Sequence, residues 1–172
     1  SRGGSPKAGW GPRPPGSRAR PLEQAAHQRP MGRLAVRLGP GRIHHCMRSI
    51  GKAEKALELM VKRAGTRVAF GKPIAKLGKN LEVISRCRIE INAMRLAVLQ
   101  AAKAMDVLGN KEARVYVSAV KAMVPEKVCE IIDAAIQMHG ATGVSQWTPL
   151  ADLYTDMRHL RFADGPDEVH HM

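Results

Sequence analysis

Between Ile74 and Leu108 the apolar residues recur mostly at alternating steps of three and four: Ile74, Leu77, Leu81, Ile84, Ile91, Met94, Val98, Ala101, Met105 and Leu108. That period puts them on one side of a single long α-helix, with Arg88 at the one seam position that breaks the row. A helix of this length cannot bury so long a seam alone. It belongs in a bundle whose neighbouring helices cover it from end to end.

The neighbours are in the sequence too. From Gly39 a shorter stripe runs Ile43, Met47, Ile50, Leu57 and Val61 and stops near Gly65; after the turn "LGNKEA" a third runs Val117, Val120, Val124, Val128, Ile131, Ala135 and Met138. Pro125 interrupts the third stripe and cannot donate to the carbonyl of Lys121, so a kink is expected there before the helix ends at Gly140. "TGVSQWTPL" reads as a loop. "PLADLYTDMRHL" follows as a short fourth helix with Pro149 in its first turn. Asp164, Gly165, Pro166, Asp167 and Glu168 have the chemistry of one more helix start, and the chain stops about one turn later. Scarce aromatics, 3% of residues, and an apolar set dominated by Met, Ala, Leu and Ile agree with an all-α, antiparallel helical bundle.

The net charge of +13 raises the question of nucleic acid, but residues 1–38 alone contribute +7 of it, with six prolines and six glycines in the same segment. Such a segment buries too little apolar surface to offset the entropy of ordering, and it is expected to be a disordered tail ahead of a bundle domain at 39–172. It lacks the interleaved aromatics or folded motif of a nucleic-acid-binding arm, and Pro and Gly break the amphipathic helix of a transit peptide. No nucleic-acid partner is therefore expected. Cys46, Cys87 and Cys129 are odd in number and widely spaced, which fits a reducing compartment rather than disulfides or zinc. The pairs His44-His45 and His170-His171 point apart on a helix and lack metal-ligand spacing, so no metal is expected. No apolar run is long enough to span a bilayer.

Four stretches together carry a resemblance. "RVAFGKPIAKL" at 67–77 resembles the Arg-x-x-Phe-Gly-x-x-Ile segment of the acyl-CoA dehydrogenases. "AIQMHGATGV" at 135–144 is similar to their Gln-x-x-Gly-Gly-x-Gly loop. "RFADGPDEV" at 161–169 falls where they carry the catalytic base, and "EINAMRLAVLQAAKAMD" is similar to their long helix. The resemblance covers residues 39–172 as the family's C-terminal helical domain, with the last helix truncated and the N-terminal helical and middle β domains absent. It looks closest to the subgroup fused to a phosphotransferase-like domain.

The resemblance implies a function. An FAD-dependent member removes the α-proton of an acyl-CoA thioester as the β-hydrogen leaves as hydride, and passes the electrons to an electron-transferring flavoprotein. Asp164 matches the general base, one methylene shorter than the usual Glu. Arg42 matches an arginine that orients the base by a charge-assisted hydrogen bond. Arg67 and Phe70 match residues that reach a neighbouring subunit's FAD, and Gln137, His139, Gly140 and Gly143 match the loop around its adenosine half. Ala69, Ala141, Pro166 and Glu168 depart from the family pattern. The resemblance further implies a homo-oligomer and a mitochondrial or peroxisomal location. Read without it, Asp164 caps the last helix, Arg42 is a solvated helix-start residue, "FGKP" is a helix-to-helix turn, and Gly140 is a helix cap. A helical module that pairs with full-length subunits without catalysis is the alternative function.

Overall fold

The computed structural model describes residues 31–172, with side chains from Leu38 onward. Residues 1–30 of the expected disordered segment lie outside the described residues. The chain forms α1 (Met31–Thr66), a hairpin of β1 (Val68–Ala69) and β2 (Lys72–Pro73), α2 (Asn80–Leu108), α3 (Arg114–His139), α4 (Leu150–Leu160) and α5 (Asp167–His171). Short 3-10 turns at Ile74–Lys76 and Gly140–Val144 join them.

Contacts between helices fix their directions. Cys46 of α1 donates its thiol to the carbonyl of Val120 and Arg63 reaches the carbonyl of His139, so α1 and α3 run parallel. Glu54 of α1 pairs with Arg88 and Arg95, whereas Gly39 lies against Met105, so α2 runs opposite to α1. Lys121, early in α3, holds the carbonyl of Leu160 at the end of α4, so α4 runs back along α3. The result is an up-down-up-down bundle in which sequence neighbours are antiparallel. Its core joins Ile50, Leu57 and Met60 of α1, Ile91, Met94 and Val98 of α2, Val124, Ile131 and Ile132 of α3, and Leu150, Met157 and Leu160 of α4.

Three expectations change. First, α1 begins at Met31 rather than at Gly39, and it carries Pro40 inside. Arg33, Leu34, Ala35 and Arg37 are good helix formers, which the Pro- and Gly-rich composition of the whole segment obscures. Second, the buried face of α1 is Cys46, Ser49, Ile50, Ala53, Leu57, Met60 and Ala64, while Val61 is exposed. The small residues let helices approach closely, so Ile50 and Leu57 of the expected stripe are buried while Ile43, Met47 and Val61 lie beside the true seam. Third, the long helix starts at Asn80; Ile74 and Leu77 belong to the turn before it, where Gly78 adopts φ +53 and the Asn80 side chain donates from Nδ2 to the Ile74 carbonyl. Arg88 is not forced into the core, because it lies at the rim, paired with Glu54.

Glu54 ties α1 to α2 through both arginines, and its carboxyl is held below the usual range, chiefly by the hydrogen bond from Arg95. A depressed folded-state pKa contributes stability that is present above the unfolded value and lost as pH falls through the folded one. Glu54→Gln is therefore expected to cost under about 1 kcal/mol at neutral pH, the range of a partly exposed pair. The gap should close below the carboxylate range in acid thermal melts.

Candidate active site

The turn between α4 and α5 carries Asp164 at φ +58, followed by Gly165 at φ +104. A non-glycine residue in the left-handed region is held there at a cost, so the surroundings must over-determine it. They do. Arg42 of α1 donates from Nε and Nη2 to the main-chain carbonyl of Asp164 at 3.2 and 3.0 Å. Lys121 of α3, with no exposed surface, donates from Nζ to the Leu160 carbonyl at 2.7 Å and approaches that of Gly165 at 3.4 Å. Arg161 donates to the Asp167 carboxylate at 2.6 Å. Two cations from two helices thus hold the backbone that presents Asp164.

The carboxylate itself is uncommitted to that scaffolding. Pro166, not Asp164, precedes α5, and the helix has no side-chain cap. Reading Asp164 as a helix cap therefore fails. Its Oδ2 lies 3.3 Å from Nε2 of His45 instead, with both side chains about 30% exposed. The expected bond from Arg42 to the carboxylate is replaced by the bonds to the carbonyl. Arg42 fixes where the residue sits and does not engage the acid group.

Nitrogen bases and cations surround this point. Burial lowers the pKa of His45, against an opposing pull from Asp164. The pKa of His170 is lowered by burial first, then by Arg42 and Lys121. That of Lys121 is lowered by burial, which outweighs Cys46, Asp167 and Asp164. In the sequence His45 stands only as half of a histidine pair, and Lys121 only as the carbonyl that Pro125 leaves without a donor. A lysine between Val120 and Val124 on an apolar stripe is the signal that could have drawn attention to Lys121. For His45 no local signal exists, because its partner is far away in the chain.

The remaining selected residues gather at the other end of the bundle. Phe70 and Gly71 are the central pair of the β1–β2 hairpin, both with positive φ (+50 and +75), where "FGKP" would otherwise read as a helix-to-helix turn. Such a hairpin turn favours Asn-Gly, so a phenylalanine there is strained, and the residue is 94% exposed. Arg67 is exposed and makes no ion pair among the described residues. Gln137 is exposed, while the buried ring of His139 donates from Nδ1 to the Ala135 carbonyl, leaving Nε2. Gly140 ends α3 at φ +66. At Gly143 a Cβ would come within 2.7 Å of the Ile136 carbonyl oxygen, so packing of this turn against the end of α3 requires that glycine. Arg63 links this end to α1, and Arg42 at the Asp164 end lies about six turns, roughly 30 Å, back along the same helix.

Comparison with known proteins agrees with this architecture. The family model described as "Acyl-CoA dehydrogenase, C-terminal domain" matches residues 31–172. A protein of Mycobacterium tuberculosis named "Probable acyl-CoA dehydrogenase FadE2" is 56% identical over 78% of this chain and 33% of its own. A solved structure from Mycobacterium abscessus superposes with a TM-score of 0.77 at 51% identity, covering 78% of this chain and 33% of the other. Butyryl-CoA dehydrogenase of Megasphaera elsdenii superposes at 0.74 and 28% identity, over 81% of this chain and 36% of that one. The chain spans about a third of the length of each of these relatives. It belongs to the acyl-CoA dehydrogenase family, as that family's C-terminal helical domain.

Proposed function

We propose that this domain supplies the general base and part of the cofactor site of an FAD-dependent acyl-CoA dehydrogenase, acting on acyl-CoA thioesters as in fatty-acid β-oxidation. The observation that carries the reading is Asp164: an acid in a strained turn, fixed through its backbone by Arg42 and Lys121, with its carboxylate left out of helix capping. Strain concentrated on one acidic residue is what a positioned proton acceptor requires.

The residues at the other end fit FAD by their chemistry. Arg67 offers a guanidinium suited to a pyrophosphate, and Phe70 an exposed ring. Gln137, Nε2 of His139 and the turn at Gly140 and Gly143 offer a polar, close-approach surface for an adenosine. When bound, FAD supplies the hydride acceptor. Asp164 accepts the α-proton at its carboxylate, Arg42 and Lys121 keep that carboxylate in place, and the acyl chain excludes water from it. Electron-transferring flavoprotein is the electron acceptor, and the setting is mitochondrial or peroxisomal.

A separation of roughly 30 Å along α1 is too great for Arg67 and Asp164 of one copy to serve a single isoalloxazine and its own pyrophosphate at close contact. This supports a homo-oligomer in which Arg67 and Phe70 serve a neighbouring copy. Subunit mixing in the full-length enzyme tests it. Arg67→Ala and Asp164→Asn proteins, each impaired alone, are expected to regain activity when co-assembled, because one site of each mixed pair then has both native residues. Absence of complementation in proven mixed oligomers contradicts the reading.

A second observation favours assembly in its own right. On α2, Leu81, Ile89, Leu96, Leu99 and Val107 are exposed on the side opposite buried Ile91, Met94 and Val98. An apolar row of this kind favours burial against another surface. The 172-residue chain is expected to self-associate at micromolar concentration in light scattering; a monodisperse monomer contradicts this.

A further inference from the structure

Next to the carboxylate of Asp164 lies a chain of polar contacts that neither the sequence motifs nor the family match assigns. Arg48 Nη2 is 3.1 Å from His45 Nδ1, and His45 Nε2 is 3.3 Å from Asp164 Oδ2. A guanidinium has only N–H groups to offer, so the nitrogen it faces must present a lone pair. Nδ1 of His45 is therefore the acceptor, and the neutral ring carries its proton on Nε2, the nitrogen that lies on the Asp164 side.

Burial, first of all, keeps the ring in that form against the pull of Asp164, and the neighbouring cations add to it. Arg48 and His44 on α1 and Lys121 on α3 disfavour the imidazolium, and only Asp164, on the turn, favours it. A second proton would also have to enter at Nδ1, against the guanidinium. His45 thus sets a neutral ring, with its N–H-bearing Nε2 3.3 Å away, beside one oxygen of the acid. Oδ1 has no protein hydrogen-bond partner among the described residues, and it is the oxygen left to receive a proton.

We propose that Arg48, His45 and Asp164 form an orienting chain, in which His45 is a positioning residue that engages Oδ2 and leaves Oδ1 as the proton acceptor. The proposal rests on Asp164 being the base. Its logic is that of any acid–base pair whose active member is held by a third group.

The test uses the full-length enzyme and the 172-residue chain. His45→Ala is expected to lower kcat by on the order of 10- to 100-fold with little change in KM, the scale of a misplaced reacting group. His45→Gln, whose amide N–H can replace Nε2–H, is expected to recover most of the loss; a merely structural histidine would not separate the two variants in kcat. Equal rates for His45→Ala and the native enzyme, or equal losses in both variants, overturn the proposal. In the 172-residue chain, histidine ¹⁵N shifts at neutral pH should show His45 as the Nε2–H tautomer, with the Nδ1–H form appearing in Arg48→Met. A native His45 found as imidazolium or as the Nδ1–H tautomer overturns it without reference to turnover. Loss of the base reading shows separately, as an Asp164→Asn rate equal to native. An inert His45→Ala beside a disabled Asp164→Asn rejects the orienting chain alone.

Discussion

Replacing Lys121 with methionine is expected to lower stability by about 2–3 kcal/mol, because it leaves the carbonyls of Leu160 and Gly165 without their buried donor. The loss is smaller than two unsatisfied groups would suggest, since methionine also removes a charge that burial disfavours. The pH dependence separates these two contributions. A lysine whose folded-state pKa is lowered makes the folded protein bind fewer protons than the unfolded one over the interval between the two values. Stability then rises as pH climbs from the folded value toward the ordinary lysine range. Native protein should gain stability relative to Lys121→Met across that alkaline interval, read as a widening gap in melting temperature. A constant gap, or a variant as stable as native at neutral pH, would show that Lys121 does not hold the turn in this way.

The same side chain illustrates where the sequence stops being legible. Helices α2 and α3 are largely readable because their seams consist of large apolar residues at regular spacing: Met94, Val98, Val124 and Ile131 are buried, whereas Leu81 and Leu108, at the ends of the α2 row, are exposed because a straight helix drifts away from a row of alternating threes and fours. The face of α1 is harder, because Cys46, Ala53 and Ala64 carry little hydropathy yet sit at the closest packing. The turn at Asp164 announces itself through its acids and Gly-Pro, but what holds it does not. Arg42 and Lys121 come from helices far away in sequence, and their partners are main-chain carbonyls that carry no residue-specific signal. His45 read locally is half of a histidine pair without metal spacing; its contact with Asp164 exists only once α1 and the final turn are brought together. The strain at Phe70 is equally silent, since a phenylalanine before a glycine is an ordinary pair until the hairpin forces φ positive.

Asp164→Asn keeps the size of the side chain and its ability to lie beside His45, and the turn is held through backbone carbonyls that the change leaves intact. The left-handed conformation at φ +58 is one that asparagine adopts as readily as aspartate, so the fold should be unaffected. What is lost, on the proposed function, is the proton acceptor. Asp164→Glu offers the complementary change: an acceptor is kept but carried one methylene further, so activity should persist with altered acyl preference. The decisive measurement is stopped-flow bleaching of the flavin by an acyl-CoA in the full-length enzyme. The predicted result for Asp164→Asn is retained binding of flavin and acyl-CoA, with bleaching slowed by about 10²- to 10⁴-fold, as expected when a general base is removed. Bleaching at the native rate in Asp164→Asn would contradict the account.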